Sequence, residues 1–338
     1  MPKEISHIHI AGIVAERCHP ELRPHLLKNE RVYNFGSVAP DLFYYDSTVF
    51  GEKSKVAWGE IIHGRDAEDT MLHVVALLDQ SRTLRESDPL RSSQLLAFAC
   101  GFLTHIAADT IFHPYVYSST GNYYAPDPLE RKHAESRHRL FETCMDYHIL
   151  GLRNQSLQEF RLSARIALSS EEKKAILPAY ADALRTAHGV DVDADHVRRI
   201  VQRAYRKANR IIGLFQNRPL SRLVVWLNRR LNGAFDTIAN AGYGPHRARA
   251  HLDFEKLPAT PHPVTGEQMT GGDVRDLIEK AVARGMHFVD VSFDYREGRI
   301  ELADLRSVLR PLSLNNGLEQ VRTDAMQHSR VLPALLLR

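Results

Sequence analysis

Apolar residues recur along this chain with helical spacing far more often than with strand alternation. From Ile5 to Ala15 they fall at Ile5, Ile8, Gly12 and Ala15, with His7 and His9 between them, a period that predicts an amphipathic helix. Asn34 to Asp46, with Gly36, Ser37, Ala39, Pro40 and Asp41, reads as a loop entering a turn. Glu60 to Ser81 predicts a helix, with Asp66, Glu68 and Asp69 near its start, where acids complement the helix dipole. Asp88-Pro89 offers an N-cap and a first-turn proline to a mostly apolar helix running to His113, which Pro114 is expected to end. Ser118 to Pro128 is turn-rich, and Leu129 to Leu150 predicts the next helix, stopped by Gly151. Several more helices are expected between Ser169 and Leu231, the first opened by Ser169-Ser170-Glu171-Glu172. Gly242 to Gly266 carries four prolines and reads as loop, Asp273 to Arg284 predicts a helix, and Phe288 to Tyr295 alternates in a way that predicts a short strand. The apolar tail from Val331 to Arg338 is expected to fold back on the body.

The summed pattern predicts an all-α protein. Residues 1–150 form one helical bundle and residues 151–338 a mostly helical region packed on it, with no repeat or linker to sharpen the boundary. A chain of 338 residues has room for a large core. Its formal net charge of +3 gives no strong hint of a nucleic acid or an anionic membrane as partner. The three cysteines, Cys18, Cys100 and Cys144, are widely spaced and odd in number, which argues against a disulfide framework and for a reducing compartment. The first residues lack the basic and apolar regions of a secretory signal. No apolar run reaches the ~18 residues of a membrane span; Gln94 to Phe112 comes closest and is interrupted by His105 and Asp109. A cytoplasmic location without a transmembrane segment is the expectation.

Eighteen histidines is a high count, and two segments place them beside acids at helical spacing. One reads His105-Ile-Ala-Ala-Asp109-Thr-Ile-Phe-His113-Pro114, the other His138-Arg-Leu-Phe-Glu142-Thr-Cys-Met-Asp146. Residues four apart on a helix differ by only about 40° around its axis, so each set shares a face. Neutral imidazole nitrogen and carboxylate oxygen are zinc-binding ligand types. A single such pair is weak evidence, since about two are due to chance in this composition; His251 with Glu255 is read as one of those. Asp109 differs because it lies among Ala97, Phe98, Phe102, Ile106, Ile111 and Phe112. A carboxylate and two imidazoles there are costly unless paired or metal-bound, and a buried hydrogen-bond network is the competing reading. Asp41 follows a Gly-Ser-Val-Ala-Pro turn and reads as an Asx-turn residue or a ligand. His63 reads as opening its helix or as a surface or capping histidine, and His7 and His9 as core residues or ligands. His133 and His148 have no role assigned.

The order of these pieces resembles the zinc-dependent phospholipase C family: an early Ser-His, then Gly-x-x-x-Pro-Asp, an isolated His, His-x-x-x-Asp-x-x-x-His-Pro, and His-x-x-x-Glu-x-x-x-Asp. The family's relatives include the bacterial secreted phospholipases C and, more distantly, the fungal single-strand nucleases. The resemblance covers residues 5–150, with Pro261-His262-Pro263 and Gly266 as a loose later echo. It implies a multi-helical phospholipase C/nuclease-like bundle holding two or three zinc ions, although another divalent transition metal suits the same ligands. One ion would take Asp41, His63, His105 and Asp109, and a second His113, His138 and Glu142. A third would share Asp109 with His7 and an amino-terminal tryptophan. This chain begins Met1-Pro2 with no tryptophan near, which leaves the third site open, with His9 as a possible substitute donor. Asp41 would also orient or deprotonate the attacking water. Asp146 would be an acceptor behind a ligand histidine or an ordinary surface charge.

The implied activity is metal-dependent hydrolysis of a phosphoric ester, a phospholipid or other phosphoester, with Glu142 favouring the phospholipase branch and no stable nucleic-acid complex expected. One alternative is a nuclease-like phosphodiesterase using Tyr115, Tyr117, Tyr123 and Tyr124 as base platforms. The other is a metal-braced helical scaffold without catalysis, docking partners through Arg198, Arg199, Arg203, Arg206 and Lys207.

Overall fold

The computed structural model describes residues 3–46, 56–245 and 251–336. Helices account for most of it. They are α1 (Glu4–Arg17), α2 (Arg23–Lys28), α3 (Glu30–Gly36), α4 (Leu42–Asp46), α5 (Trp58–Ile62), α6 (Leu72–Thr83), α7 (Pro89–Thr120) and α8 (Pro128–Leu152). The second half adds α9 (Leu157–Phe160), α10 (Leu162–Ile166), α11 (Ser170–Ala187), α12 (Ala194–Gln216), α13 (Arg218–Arg230), α14 (Asp236–Ala241), α15 (Val274–Glu297) and α16 (Leu302–Val308). Among the described residues the only sheet is a two-stranded ribbon, Thr260–Pro261 against Gln268–Met269, antiparallel with Thr260 opposite Met269. The all-α expectation holds.

The most apolar stretch of the sequence becomes the axis of the fold. The Asp88 side chain caps α7 by accepting the Arg91 N–H, and α1, α3, α6, α8, α11 and α15 all lie against it. By length and hydropathy α7 could cross a bilayer, but 94% of its most apolar window is buried by these neighbours. Two glycines set its closest crossing. A Cβ on Gly101 would stand 2.1 Å from the Tyr33 carbonyl oxygen, and one on Gly36 would stand 2.4 Å from that of Phe98. The α3 and α7 backbones therefore touch where these residues meet. One hydrophobic cluster runs from Ile5 to Leu335, and the tail joins it: Leu332 N–H donates to the Ser119 carbonyl at 3.0 Å.

Four local expectations fail for identifiable reasons. Pro114 does not end α7, which continues to Thr120, because Phe112 to Thr120 are all buried and packing outweighs one lost hydrogen bond. Glu60 to Ser81 is not one helix. Gly64 and Ala67 take φ of +70° and +69°, so Asp66 to Asp69 form the turn before α6. Phe288 to Tyr295 is part of α15, where buried Phe288, Val289, Ser292, Phe293 and Tyr295 follow helical spacing that mimicked alternation. Asn34 to Asp46 is not loop but α3, a 3-10 turn at Ala39–Asp41, and α4.

Candidate metal centre

The centre lies where α7 and α8 present their acid and imidazole faces to each other. His105, Asp109 and His113 form a stripe along α7, and His138 and Glu142 a second along α8. Asp41 arrives on the 3-10 turn, His63 caps the C-terminal end of α5 rather than opening a helix, and His7 reaches in from α1. All eight are buried, Asp41 being the most open at 8%.

Atoms of these side chains converge closely. His105 Nε2 lies 3.0 Å from Asp109 Oδ2 and 3.9 Å from Asp41 Oδ1. His63 Nε2 lies 3.3 Å from Asp41 Oδ1 and 3.8 Å from Asp109 Oδ2. His7 Nε2 lies 3.4 Å from Asp109 Oδ1, and its ring stacks on that of His105 with centroids 3.9 Å apart. His138 Nε2 lies 2.8 Å from Glu142 Oε1. Three groupings place one ligand atom per residue within 4.8 Å of the others: His7, Asp41 and His105; His63, His105 and Asp109; and His113, His138 and Glu142.

The backbone decides which imidazole nitrogen faces inward. His63 Nδ1–H donates to the Gly59 carbonyl at 2.7 Å and His105 Nδ1–H to that of Ser37 at 2.9 Å, and His113 Nδ1–H donates to Leu314. A carbonyl only accepts, so each Nδ1 carries a proton and Nε2 is the nitrogen each ring turns to the centre. At His105 that nitrogen meets the Asp109 carboxylate without hydrogen-bond geometry. Among the described residues no hydrogen bond reaches Asp41 Oδ1, His105 Nε2, either oxygen of Asp109 or His113 Nε2. Burial pushes the Asp109 carboxyl above the ordinary carboxylate range. It opposes charge on His105 too, but the Asp109 and Asp41 carboxylates win and raise that imidazole. Burial carries His113 well below the usual histidine range and His138 down to about 4, so both stay neutral. A shared proton relieves one facing pair. A multivalent cation would relieve all of them together. The donor set, imidazole nitrogen plus carboxylate oxygen, fits zinc.

The family model for zinc dependent phospholipase C matches residues 6–186, more than half of the chain. The chain belongs to the zinc-dependent phospholipase C family. No curated protein and no solved structure matches it.

Asp146 plays neither part expected of it. It is fully buried and accepts from Ile5 N–H (3.2 Å), Ser6 N–H (2.9 Å), Ser6 Oγ (2.6 Å) and the Tyr243 hydroxyl (2.6 Å). It therefore clamps the start of α1 and so places His7. Burial and the nearby Glu4 push its carboxyl up to about 6. His9 does not join the centre; its Nδ1 lies 3.1 Å from an Arg153 guanidinium nitrogen. The proposed basic docking face is largely spent within the fold, since Arg203 and Lys207 grip Asp46 and Arg198 grips Asp182.

A cleft of about 230 Å³ opens on the centre, lined in part by His63, His138, Tyr44, Tyr117, Tyr123 and Tyr124. Tyr115 is not among its walls and bonds the Pro258 carbonyl instead. Two contributors escaped the motif reading. Arg139 also lines the cleft, 3.6 Å from Glu142 Oε2; its place three residues before Glu142 was the available signal. The Leu314 carbonyl carries none, because any residue has one. It belongs to a turn outside the matched region, tied to the centre by Leu314 N–H to the His63 carbonyl (3.0 Å) and by the Tyr117 hydroxyl to Asn315 Oδ1 (3.0 Å).

Proposed function

We propose that this protein is a metal-dependent phosphoric-ester hydrolase acting on phospholipid in the manner of a phospholipase C. The observation that supports this best is the convergence of eight acid and imidazole side chains beside a tyrosine-lined cleft. His105 spends Nδ1 on Ser37 and has one nitrogen left, so the two groupings that share it serve one ion. Two zinc ions is accordingly our reading. Asp41, His63, His105 and Asp109, with His7 against Asp109, would hold the first; His113, His138 and Glu142 would hold the second. Divalent ions there, when bound, screen a phosphodiester anion and lower the pKa of bound water.

The chain's own residues do the rest. Asp41, the most open member, orients or deprotonates the attacking water with its carboxylate. Arg139 lends positive charge to the cleft wall, where it attracts the phosphate and adds to the larger effect of His138 in keeping Glu142 ionised. The carbonyls of Ser37, Gly59 and Leu314 hold three imidazoles in one tautomer throughout. Turnover of phosphatidylcholine, bis-p-nitrophenyl phosphate and single-stranded DNA by zinc-loaded protein tests the reading. We expect release of the phosphorylated head group and an Asp41→Asn loss of about 100-fold or more in kcat. Faster cleavage of DNA would favour a nuclease. Zinc-dependent stability with no turnover of any ester would favour a metal-braced scaffold.

A further inference from the structure

Helix α13 is folded inside out. Ser221, Val225 and Asn228 are its buried side chains, while Leu223, Trp226 and Leu227 stand 50%, 53% and 40% exposed on the opposite face. The apolar strip continues past the helix end through Leu231, Phe235 and Ile238, each 45–50% exposed. Seven of the fourteen exposed large apolar residues in the described structure fall between Leu214 and Ile238, a cluster rather than the usual single scatter.

The charge along α13 has one sign, and Asp236, tied to Asn228 Nδ2 at 2.7 Å, is the one acid within the strip. Arg218, Arg222, Arg229 and Arg230 all lie in α13, and no Asp or Glu occurs from Val197 to Phe235. Among the described residues none of these four arginines meets a carboxylate at ion-pair distance. The guanidinium of Arg230 lies over the Trp226 ring, 5.5 Å from its centroid. The near-neutral net charge of the whole chain conceals this local excess. The hairpin of α13 and α14 is held to the body: Thr143 Oγ donates to the Asn240 carbonyl at 2.8 Å, and Asn240 Nδ2 donates to Ser136 Oγ at 2.9 Å. Both anchors sit on α8, the helix that carries His138 and Glu142.

We propose that this face seats the protein on an anionic phospholipid bilayer. Leucine, tryptophan and phenylalanine flanked by arginine is the composition of a helix lying in the membrane interface, with its apolar side chains at the acyl boundary and its arginines on lipid phosphates. A second copy of the chain is the poorer occupant, because pairing two such faces sets four arginines against four with only Asp236, already held by Asn228, to offset them. Docking needs neither metal nor hydrolysis, so it stands or falls apart from the proposed activity.

Full-length protein is mixed with vesicles of phosphatidylcholine, or of phosphatidylcholine with phosphatidylglycerol, and followed by sedimentation and tryptophan emission. The Asp41→Asn variant is run in parallel, so that lipid stays intact. Of the two tryptophans Trp58 is 1% exposed, so a spectral change reports Trp226. We expect binding to the mixed vesicles by both proteins, a blue shift quenched by brominated lipid, and affinity that falls as salt rises. Leu223→Ser/Trp226→Ser/Leu227→Ser, with unchanged circular dichroism, should bind ~100-fold more weakly. Arg222→Gln/Arg229→Gln/Arg230→Gln should lose the preference for anionic lipid. Folded protein that ignores both vesicle types, or a serine variant that binds like its parent, overturns the proposal. So does a dimer that the serine variant splits while vesicles bind nothing, which would assign the face to a second copy.

Discussion

Stripping metal from this protein should cost it a large share of its stability, and one substitution should reveal why. Asp109 is 0% exposed, and no hydrogen bond reaches either of its oxygens among the described residues. With a cation gone, Asp109 becomes a buried carboxylate facing a carboxylate and imidazole lone pairs, a situation that costs about 3–5 kcal/mol. A domain holds only about 5–15 kcal/mol in total. At about 2 °C per kcal/mol for a chain of this size, chelation should lower Tm by about 6–10 °C, and added zinc should restore it. Asp109→Asn removes the buried charge, so the shift on chelation should shrink to under about 3 °C. The pH dependence has opposite signs in the two forms. In the chelated protein Asp109 holds a proton above its ordinary value of 3.8, so that form loses stability as pH rises through the raised range. In the loaded protein protons compete with the cation for the same atoms, so stability rises with pH. The gap between loaded and chelated melting curves should widen as pH rises. Scanning fluorimetry of both proteins, with and without chelator across pH, makes the comparison. An unchanged Tm on chelation, or an equal shift in Asp109→Asn, would refute the reasoning.

Three further outcomes follow from particular contacts. Gly101→Ala, whose Cβ would lie 2.1 Å from the Tyr33 carbonyl oxygen, should cost at least ~2 kcal/mol in urea unfolding. Gly317→Ala, with φ of +73° and a Cβ 2.5 Å from the Thr110 carbonyl oxygen, should displace the turn whose Leu314 carbonyl orients His113. Zinc titration should then show the second ion bound ~10–100-fold more weakly and the first little changed. Asp146→Ala strands three buried donors on α1, at ~1 kcal/mol each, and leaves the Tyr243 hydroxyl only its 3.4 Å bond to Glu4 Oε2, but also removes a carboxyl whose pKa is raised to about 6. A raised carboxyl penalises the wild type progressively as pH climbs from its ordinary value of 3.8 to about 6 and in full above that, so the variant's unfolding deficit should be about 1 kcal/mol larger near pH 5 than near pH 7.

What the sequence could disclose depended on how local each cause is. The α7 stripe of His105, Asp109 and His113 was visible because one helical period and an apolar setting are both written within ten residues. His138 and Glu142 on α8 were visible by their helical spacing alone, in a polar segment that gives no further mark. Asp41, His63 and His7 carry no such local mark; only the order of motifs linked them, and the fold brings them to the same place. Pro114 and the 288–295 alternation misled because burial overrode a local rule. The Leu314 carbonyl lies some two hundred residues from its partner His113, and the Asp146 clamp joins α8 to α1 and Tyr243. Such long-range contacts have no local signature. The inverted α13 was within reach of its pattern, since apolar residues fall opposite Ser221 and Asn228, but which side faces outward is decided by neighbours.

The most direct measurement is anomalous diffraction at the zinc absorption edge from crystals of the purified protein. The account predicts two peaks, one among Asp41, His63, His105 and Asp109 and the other among His113, His138 and Glu142. An edge scan without zinc or another transition metal, or peaks bound elsewhere with these eight side chains paired to one another, would contradict it.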